Sequence, residues 1–392
     1  MLKVLIFFFE GAILILDKKE GFFMEKIKSF AKTNTVMLVA ALCALITAFI
    51  IPPDRKYLDY FDFKTLTCLF CVLAVVCALR NIRFFYTMAK AIVRKFRTAK
   101  SAILALVYIT FIGSMLIAND MALLTFLPLG YFVLHTTGME KHLAFTYIMQ
   151  NIAANLGGML TPFGNPQNLY LYSKFNIPDA EFVSIMFLPF IISIILITVC
   201  CLVFVKSEPL VIEEKAASLP IARTVTYLIL FVYSILIVFK FIPYWTGLII
   251  IPLAILLLDR VALLQVDYGL LLTFVFFFIF AGNMSRIDIV RDFFSYLLEQ
   301  NTLIFSALSC QVISNVPSAI LLSQFTENYR ELLLGVNIGG AGTLIASLAS
   351  LITFKEYTKQ DPKHTLSYIL KFTAYNFAFL IILITICSIF KI

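Results

Sequence analysis

Long apolar runs recur along the whole chain and constrain its fold more than any other feature. Runs of about 16 to 25 apolar residues, such as 101–118 and 181–205, follow one another with short polar connections. Each run is long enough to cross a ~30 Å hydrocarbon core as a helix. Only 14% of the 392 residues are charged, whereas soluble domains have about a quarter. The sequence therefore predicts an all-α polytopic membrane protein.

The basic residues cluster between the apolar runs, so the net charge of +8 indicates membrane topology rather than nucleic-acid binding. Segment 80–100 is the most basic connection, and the positive-inside rule therefore places it in the cytoplasm. Its basic residues are Arg80, Arg83, Lys90, Arg94, Lys95, Arg97 and Lys100. Counted from this segment, the N-terminus is cytoplasmic as well.

Neither an enzyme nor a cofactor-binding protein is indicated. Cys68 and Cys71 form a CxxC inside an apolar run, which is typical of small hydrophobic side chains in a membrane helix. The chain has no HExxH motif and no nucleophile with an adjacent base. We expect no catalytic residues, no cofactor and no metal beyond Na⁺ as a coupling ion.

The two halves of the chain resemble each other. "IAND" at 117–120 matches "ISNV" at 313–316, and "NLGGMLTPFGNPQNL" at 155–169 matches "NIGGAGTLIASLASL" at 337–351. Matching landmarks in the same order indicate an internal repeat. Met24 is a plausible start, so we expect little function before it. The predicted divisions are an N-terminal extension (1–29), a first repeat (30–205), a cytoplasmic loop with a linking helix (206–241) and a second repeat (242–392).

Each repeat is interpreted as two helices, a re-entrant hairpin, a broken helix and a closing helix. The runs within 101–136 would be joined by two residues if both crossed the membrane, which favours a hairpin. The second hairpin, 302–325, has about 24 apolar residues, too few for two spans. The linking helix 222–241 inverts the second repeat. Inverted repeats with discontinuous helices are typical of transporters whose site lies near the bilayer midplane.

Polar residues interrupt both hairpins at their tips. The first tip carries Asn119 and Asp120, and the second carries Ser314 and Asn315. Each Asn can cap the helix that follows, whose positive end suits an anion, while tip carbonyls suit Na⁺. The alternative is a capping Asn in a tight turn that binds no ligand.

Gly and Pro interrupt the helices 143–172 and 332–354, and unwinding is expected there. The polar residues along these breaks are Thr161, Asn165, Gln167 and Asn168 in the first and Thr343, Ser347 and Ser350 in the second. Close helix packing by small residues is the alternative; it fits Gly335 but does not account for "FGNPQN". The breaks contain no Lys or Arg, so dipoles, amides and hydroxyls would hold an anion.

Asp120 is an ionisable residue inside an apolar run, which is costly and indicates a functional role. Its match in the second repeat is Val316. We expect Asp120 to help bind Na⁺ or to carry a proton. The alternative is a helix N-cap acid that faces a water-filled vestibule.

The motifs "IANDMALLTFLPL", "GGMLTPFGNPQNLYLY", "SNVPSAILLS" and "NIGGAGTLIASLASLI" resemble those of the ion transporter superfamily, from about residue 30 to the end. That group includes divalent anion:sodium symporters, citrate permeases and arsenite permeases. The resemblance implies a homodimer in which hairpins and broken helices slide against a scaffold. Neither tip has the terminal Thr of the symporter branch. The Asn-Asp tip looks more like the arsenite permease side, where proton coupling is usual.

The resemblance also implies site residues. The expected substrate-binding residues are Asn119, Gly164, Asn165, Pro166, Asn168, Ser314, Asn315, Thr343 and Ser347. Those expected to couple a cation or proton are Asp120, Asn119, Asn155, Asn315 and Asn337.

The sequence therefore predicts a secondary active transporter of small carboxylate or inorganic anions, coupled to H⁺ or Na⁺, in a prokaryotic plasma membrane. A Na⁺/H⁺ antiporter of the same fold is the first alternative, with Asp120 as the exchanging carboxylate. An anion channel is a second alternative, and it would show no coupling.

Overall fold

The computed structural model describes residues 34–210 and 219–390. The predicted N-terminal extension, residues 1–29, lies outside the described residues, and so do residues 211–218 of the predicted cytoplasmic loop.

The described residues form α-helices, short 3₁₀ turns and loops. In the first half the helices are α1 (Thr35–Ile50), α2 (Phe63–Asn81), α3 (Phe84–Val93), α4 (Ala99–Ile117), α5 (Asn119–Thr136), α6 (Leu143–Gly157), α7 (Pro166–Lys174) and α8 (Asp179–Phe204). After the linking helix α9 (Ile221–Val238), they are α10 (Tyr244–Leu258), α11 (Arg260–Leu264), α12 (Tyr268–Ser285), α13 (Asp288–Ile313), α14 (Asn315–Leu322), α15 (Tyr329–Ile338), α16 (Leu348–Gln360) and α17 (Thr365–Phe390). An isolated bridge joins Thr98 and Pro209.

Within residues 34–210 and 219–390, six helical stretches are long and apolar enough to cross a membrane. They are α2, α4, α8, α9, Arg260–Ser285 and Pro362–Phe390. Three further apolar helices in the described part of the chain, α1, α3 and α10, are shorter. The predicted class, an all-helical multi-pass membrane protein, is confirmed.

Two long helices are broken where the sequence predicted. The first break, residues 158–165, separates α6 from α7, and the second break, residues 339–347, separates α15 from α16. Gly157 and Gly335 lie at tight helix crossings: a Cβ on Gly157 would stand 2.3 Å from the carbonyl oxygen of Phe111, and one on Gly335 would stand 2.6 Å from that of Leu303. Close packing therefore accounts for these two glycines.

Helices from the two halves pair with each other. Helix α1 packs along α12, and α2 packs against α9 and α10. Between α1 and α12, Asn283 Nδ2 donates a hydrogen bond of 3.3 Å to Thr47 Oγ1. Because each half supplies the partner of the other, the two halves form one interlocked body.

The sequence analysis missed two amphipathic helices, α3 and the first part of α13. Both lie in connections that carry charged residues, so they stand out less than the apolar runs do. A kink at Asn301, with φ −168° and ψ 96°, separates the first part of α13 from the predicted hairpin.

Ion pairs join distant loops at the ends of the helices. Arg286 binds Asp54 through two hydrogen bonds, Nη2 to Oδ2 at 2.8 Å and Nη1 to Oδ1 at 3.1 Å. This hydrogen bonding to Arg286 holds the pKa of Asp54 below its ordinary value. Lys141 Nζ lies 2.6 Å from a carboxylate oxygen of Glu208, and its hydrogen bond lowers the pKa of Glu208 in the same way.

Candidate functional site

Each hairpin tip turns on a non-glycine residue with positive φ. At the first tip (residues 118–120), Ala118 has φ 67° and ψ 150°, and at the second tip (residues 314–317), Ser314 has φ 75° and ψ 158°. Such a conformation costs about 1–3 kcal/mol and persists only where the surroundings hold it. The two tips therefore share one strained conformation.

Backbone hydrogen bonds tie each tip to the break of its own half. The amide N–H of Asn119 donates to the carbonyl of Gly164 at 3.0 Å, and that of Asn315 donates to the carbonyl of Ala346 at 2.9 Å. Since Gly164 and Ala346 hold matching positions in the aligned motifs, the same contact occurs in both halves.

A threonine in each break secures the helix that leads to the tip. Thr161 Oγ1 donates to the carbonyl of Met115 at 2.8 Å, and Thr343 Oγ1 donates to the carbonyl of Gln311 at 3.0 Å. Thr343 N–H also donates to Gln311 Oε1 at 2.9 Å. The hydroxyl hydrogen of Thr343 is therefore already bonded to a backbone carbonyl.

The predicted capping role of Asn119 and Asn315 is wrong. Each is the first residue of its helix, and its Oδ1 accepts from the next N–H, that of Asp120 or Val316, at 2.9 Å. The positive φ of the preceding residue moves the turn one position earlier than predicted. Each amide side chain therefore folds back on the tip itself.

Asn155 links the first half to the second break. Its Oδ1 accepts from Ser347 Oγ at 2.8 Å and from Asn119 Nδ2 at 3.2 Å. Asn337 makes the reciprocal link, because its Oδ1 accepts from Asn165 Nδ2 at 3.1 Å and from Gln167 Nε2 at 3.3 Å. The two breaks are thus joined by crossed hydrogen bonds.

Asn168 holds the first break in its unwound form. Its Nδ2 lies 3.1–3.3 Å from the carbonyl oxygens of Gly158, Met159 and Thr161. Its Oδ1 accepts from Asn337 Nδ2 at 2.6 Å. An unwound backbone that is buried away from water needs such partners.

The second tip reaches the same network beside Gly340. A Cβ on Gly340 would lie 3.2 Å from Asn315 Nδ2 and 3.6 Å from Asn155 Oδ1. Gly164 lies at a close backbone contact, since a Cβ there would lie 2.3 Å from the carbonyl oxygen of Gly158. Pro166 opens α7, where the missing N–H costs nothing.

The structure thus brings most of the expected residues into one cluster, called here the amide network. Its members are Asn119, Asn155, Asn165, Gln167, Asn168, Asn315, Asn337 and Ser347, and each is buried. Ser314 lies at its edge, with Oγ 3.4 Å from the carbonyl oxygen of Ala346. All members are uncharged. In such buried surroundings their hydrogen bonds are stronger than in water, and any group left unpaired is costly.

Two oxygens in the amide network have no hydrogen-bond partner within the described structure. They are Asn165 Oδ1 and Gln167 Oε1, and both are buried. Amide oxygens only accept, and oxygen ligands are the ones that hard cations take. These two oxygens are therefore free to accept a hydrogen bond or to contribute ligands to a cation.

Asp120 lies apart from the amide network. Its carboxylate lines a cavity of about 50 Å³ together with Asp267, between α2 and the start of α12 on one side and α5 and α7 on the other. Its Oδ1 is buried without a hydrogen-bond partner. At the first tip, the side chain of Asn119 thus joins the amide network, whereas that of Asp120 lines this cavity.

The sequence analysis missed a further polar cluster that extends the amide network along α6. Asn151 Nδ2 lies 3.3 Å from Ser350 Oγ and 3.5 Å from Asn376 Oδ1, and its Oδ1 accepts from Thr353 Oγ1 at 3.3 Å. Asn151 precedes Asn155 by one helical turn, which was the available signal. Among the described residues, no group of three His, Cys, Asp or Glu side chains could hold a metal ion.

Comparisons with known proteins give a family match over most of the chain. The sequence profile of the citrate transporter family matches residues 20–329. An uncharacterized transporter of Methanocaldococcus jannaschii is 35% identical over 324 residues, which cover 82% of this chain and 88% of the relative. The inner membrane protein YbiR of Escherichia coli is 27% identical over 302 residues, which cover 75% of this chain and 80% of the relative.

Proposed function

The chain belongs to the citrate transporter family, and we propose that it is a secondary active transporter of small carboxylate or inorganic oxyanions, coupled to Na⁺ or H⁺. One observation carries the proposal: four helices begin at the amide network. They are α5 and α14 at the tips and α7 and α16 at the breaks. The N-terminus of a helix is the positive end of its dipole, which attracts an anion. The first N–H groups of α5 and α14 are bonded within the structure, so the dipoles carry this argument.

The absence of fixed positive charge at the amide network supports transport rather than tight capture. The described part of the network contains amides and hydroxyls but no Lys or Arg. An anion held by dipoles alone is easier to release than one held by guanidinium groups. A co-bound cation would offset its charge, and the free oxygens of Asn165 and Gln167 are suited to that cation.

We propose that the two halves are inverted repeats that place both tips near the bilayer midplane. The ion pairs support this topology, because the predicted path puts both partners of each pair on one side. Asp54 and Arg286 fall outside, whereas Lys141 and Glu208 fall in the cytoplasm with the N-terminus. Helix α6 has 15 residues and α15 has 10, so the breaks lie about 22 Å and 15 Å along their helices.

The proposed movement is an elevator. The scaffold would consist of α1 paired with α12 and of α2 paired with α9 and α10. The hairpins and broken helices, held together by the amide network, would slide against it as one group. We further propose that two copies form a homodimer, because a small mobile group needs a fixed frame. The proposed location is a prokaryotic plasma membrane.

Asp120 is proposed to carry the coupling proton or to help bind the coupling cation. Its cavity lies between the proposed scaffold and the proposed mobile group. The same observation favours one alternative function, a Na⁺/H⁺ antiporter. Two carboxylates, those of Asp120 and Asp267, share this cavity, and exchange of Na⁺ for H⁺ at a carboxylate needs no anion.

The test is uptake by purified protein in liposomes. Labelled citrate, succinate, sulfate, phosphate and arsenite would each be offered under an inward Na⁺ gradient, an inward H⁺ gradient, or a K⁺ gradient as control. We expect one anion class to accumulate above its outside concentration under one cation gradient only.

Other outcomes would replace the proposal. Equilibration of an anion without accumulation under every gradient would indicate a channel. Na⁺ movement driven by a pH difference, with no dependence on any anion, would indicate the antiporter.

A further inference from the structure

The corner between α2 and α3 forms a cavity of about 330 Å³ against α5. None of the residues of the amide network lines this cavity, which adjoins the cavity of Asp120 at Leu124. Its lining residues are Arg80, Arg83, Phe85 and Tyr86 from the corner and Leu124, Thr125 and Pro128 from α5.

Two guanidinium groups face this cavity without a carboxylate partner among the described residues. Arg80 Nη1 lies 3.8 Å from Met121 Sδ, which is a weak acceptor. The nearby carboxylate of Asp259 accepts instead from Asn81 Nδ2, at 3.0 Å. Because Arg stays protonated, the cavity carries positive charge that the protein does not neutralise, and planar guanidinium forks match phosphate oxygens.

The backbone at this corner is held in a strained form. Arg83 has φ 57°, a left-handed conformation that is uncommon for a residue other than glycine. Such residues are found at ligand clamps, where the surroundings maintain the strain. The turn brings Arg83 close to Arg80 instead of letting α2 and α3 run on as one helix.

The residues around the cavity suit a bound lipid better than a dissolved anion. Leu124 on its lining is 47% exposed, and Met88 and Ile92 on α3 are 49% and 41% exposed. An amphipathic helix with basic and apolar residues lies in the membrane surface, and Tyr is enriched at headgroup level. Segment 80–100 is predicted to be cytoplasmic, where the leaflet carries anionic lipids.

We propose that this cavity binds the phosphate headgroup of an anionic phospholipid, held by Arg80 and Arg83, with an acyl chain against Leu124. A lipid in this place contacts both the α2–α3 corner and the hairpin helix α5. A bound lipid would therefore connect α2 with α5, the helix that follows the first tip.

The experiment measures lipid binding by purified full-length protein and requires no transport. Delipidated protein in neutral detergent would be titrated with phosphatidylglycerol, with phosphatidylcholine as the neutral lipid, while the melting temperature and retained lipids in native mass spectra are recorded. Arms with glycerol 3-phosphate and inorganic phosphate separate lipid binding from binding of a free anion. The test variant is Arg80→Gln/Arg83→Gln, and the matched control is Arg94→Gln/Lys95→Gln on the same segment.

We expect phosphatidylglycerol to stabilise the wild type and the control saturably, and phosphatidylcholine to do so far less. The test variant should bind phosphatidylglycerol about 30-fold more weakly, since each basic residue near a membrane surface contributes about fivefold. If the double variant does not fold, Arg83→Gln alone should weaken binding about fivefold. Equal weakening in the control, or equal protection by inorganic phosphate, would overturn the proposal.

Discussion

Asn155 and Asn337 occupy matching positions in the two halves, and each accepts hydrogen bonds from the break of the other half. Asn155 receives the hydroxyl of Ser347 at 2.8 Å, and Asn337 receives the amide of Asn165 at 3.1 Å. The broken helices are therefore held together by side chains that lie far apart in the sequence. Removing the side chains of Asn155 and Asn337 should therefore break the contact between the two broken helices.

A double-mutant cycle on Asn165 and Asn337 should reveal this coupling. Asn165→Ala leaves Asn337 Oδ1 with Gln167 alone. Asn337→Ala removes the partner of Gln167 Nε2 and of Asn168 Oδ1. Each change should cost about 1–3 kcal/mol of unfolding free energy, with an interaction energy of about 0.5–3 kcal/mol. Denaturant unfolding of the four proteins would measure it. Strict additivity would mean that the contact contributes nothing.

Gly157→Ala should destabilise the protein by forcing α4 and α6 apart. The new Cβ would meet the backbone oxygen of Phe111 at 2.3 Å, and overpacking of this kind costs about 1–3 kcal/mol. Gly340→Ala is the matched control in the second half, because the nearest atoms there lie at 3.2 Å. The melting temperature should fall clearly more for Gly157→Ala. A larger fall for the control would contradict the packing found here.

Asp120→Asn should abolish cation-coupled accumulation while the protein stays folded. The carboxylate makes no hydrogen bond through Oδ1, so the amide of similar shape breaks no hydrogen bond at that atom. Uptake in liposomes and thermal unfolding would be measured together. Asp59→Asn, at an exposed position, is the control and should keep wild-type uptake. Wild-type accumulation by Asp120→Asn would falsify the proposed coupling role.

Surface labelling should place Asp54 outside the cell and Lys141 inside. Asp54→Cys and Lys141→Cys would be labelled in intact cells with an impermeant thiol reagent, on a background in which the half-buried Cys43 and Cys200 are replaced. We expect labelling of the first variant only, and of both after the membrane is opened. Labelling of Lys141→Cys from outside would contradict the proposed topology.

The Asp54–Arg286 pair should stabilise the protein in a pH-dependent way. Hydrogen bonding to Arg286 lowers the pKa of Asp54 from 3.8, so the contribution is complete above about pH 4 and lost as pH falls through the lowered value. Thermal unfolding of wild type and Asp54→Asn should therefore differ slightly at pH 6 and converge at the acid end. The effect is small because exposed pairs are screened by solvent. A constant difference at every pH would exclude this linkage.

Much of the fold could be predicted because its signals are local. Apolar length located the spans, and Gly and Pro located the breaks after Gly157 and Ile338. The missed helix α3 is short and partly charged, so neither apolar length nor a clear cap marked it. The outer pairing of α1 with α12 left no local signal at all.

The candidate site was harder to predict because its contacts cross between the halves. That Asn155 would meet Ser347 cannot be read from either motif alone. The separation of Asp120 from Asn119, however, follows from helix geometry. Successive residues in a helix point about 100° apart, so Asp120 cannot share the direction of Asn119 once α5 has begun at the tip.

The interlocked pairing of α1 with α12 has a consequence for how the protein is made. Helix α1 leaves the ribosome early in synthesis, but its packing partner, including Asn283 opposite Thr47, follows more than half a chain later. Contacts this distant in sequence form slowly, and unpaired surfaces are exposed meanwhile. The first half must therefore remain in the bilayer as a partly folded intermediate until the second half is synthesised. Both halves then reach their final packing together.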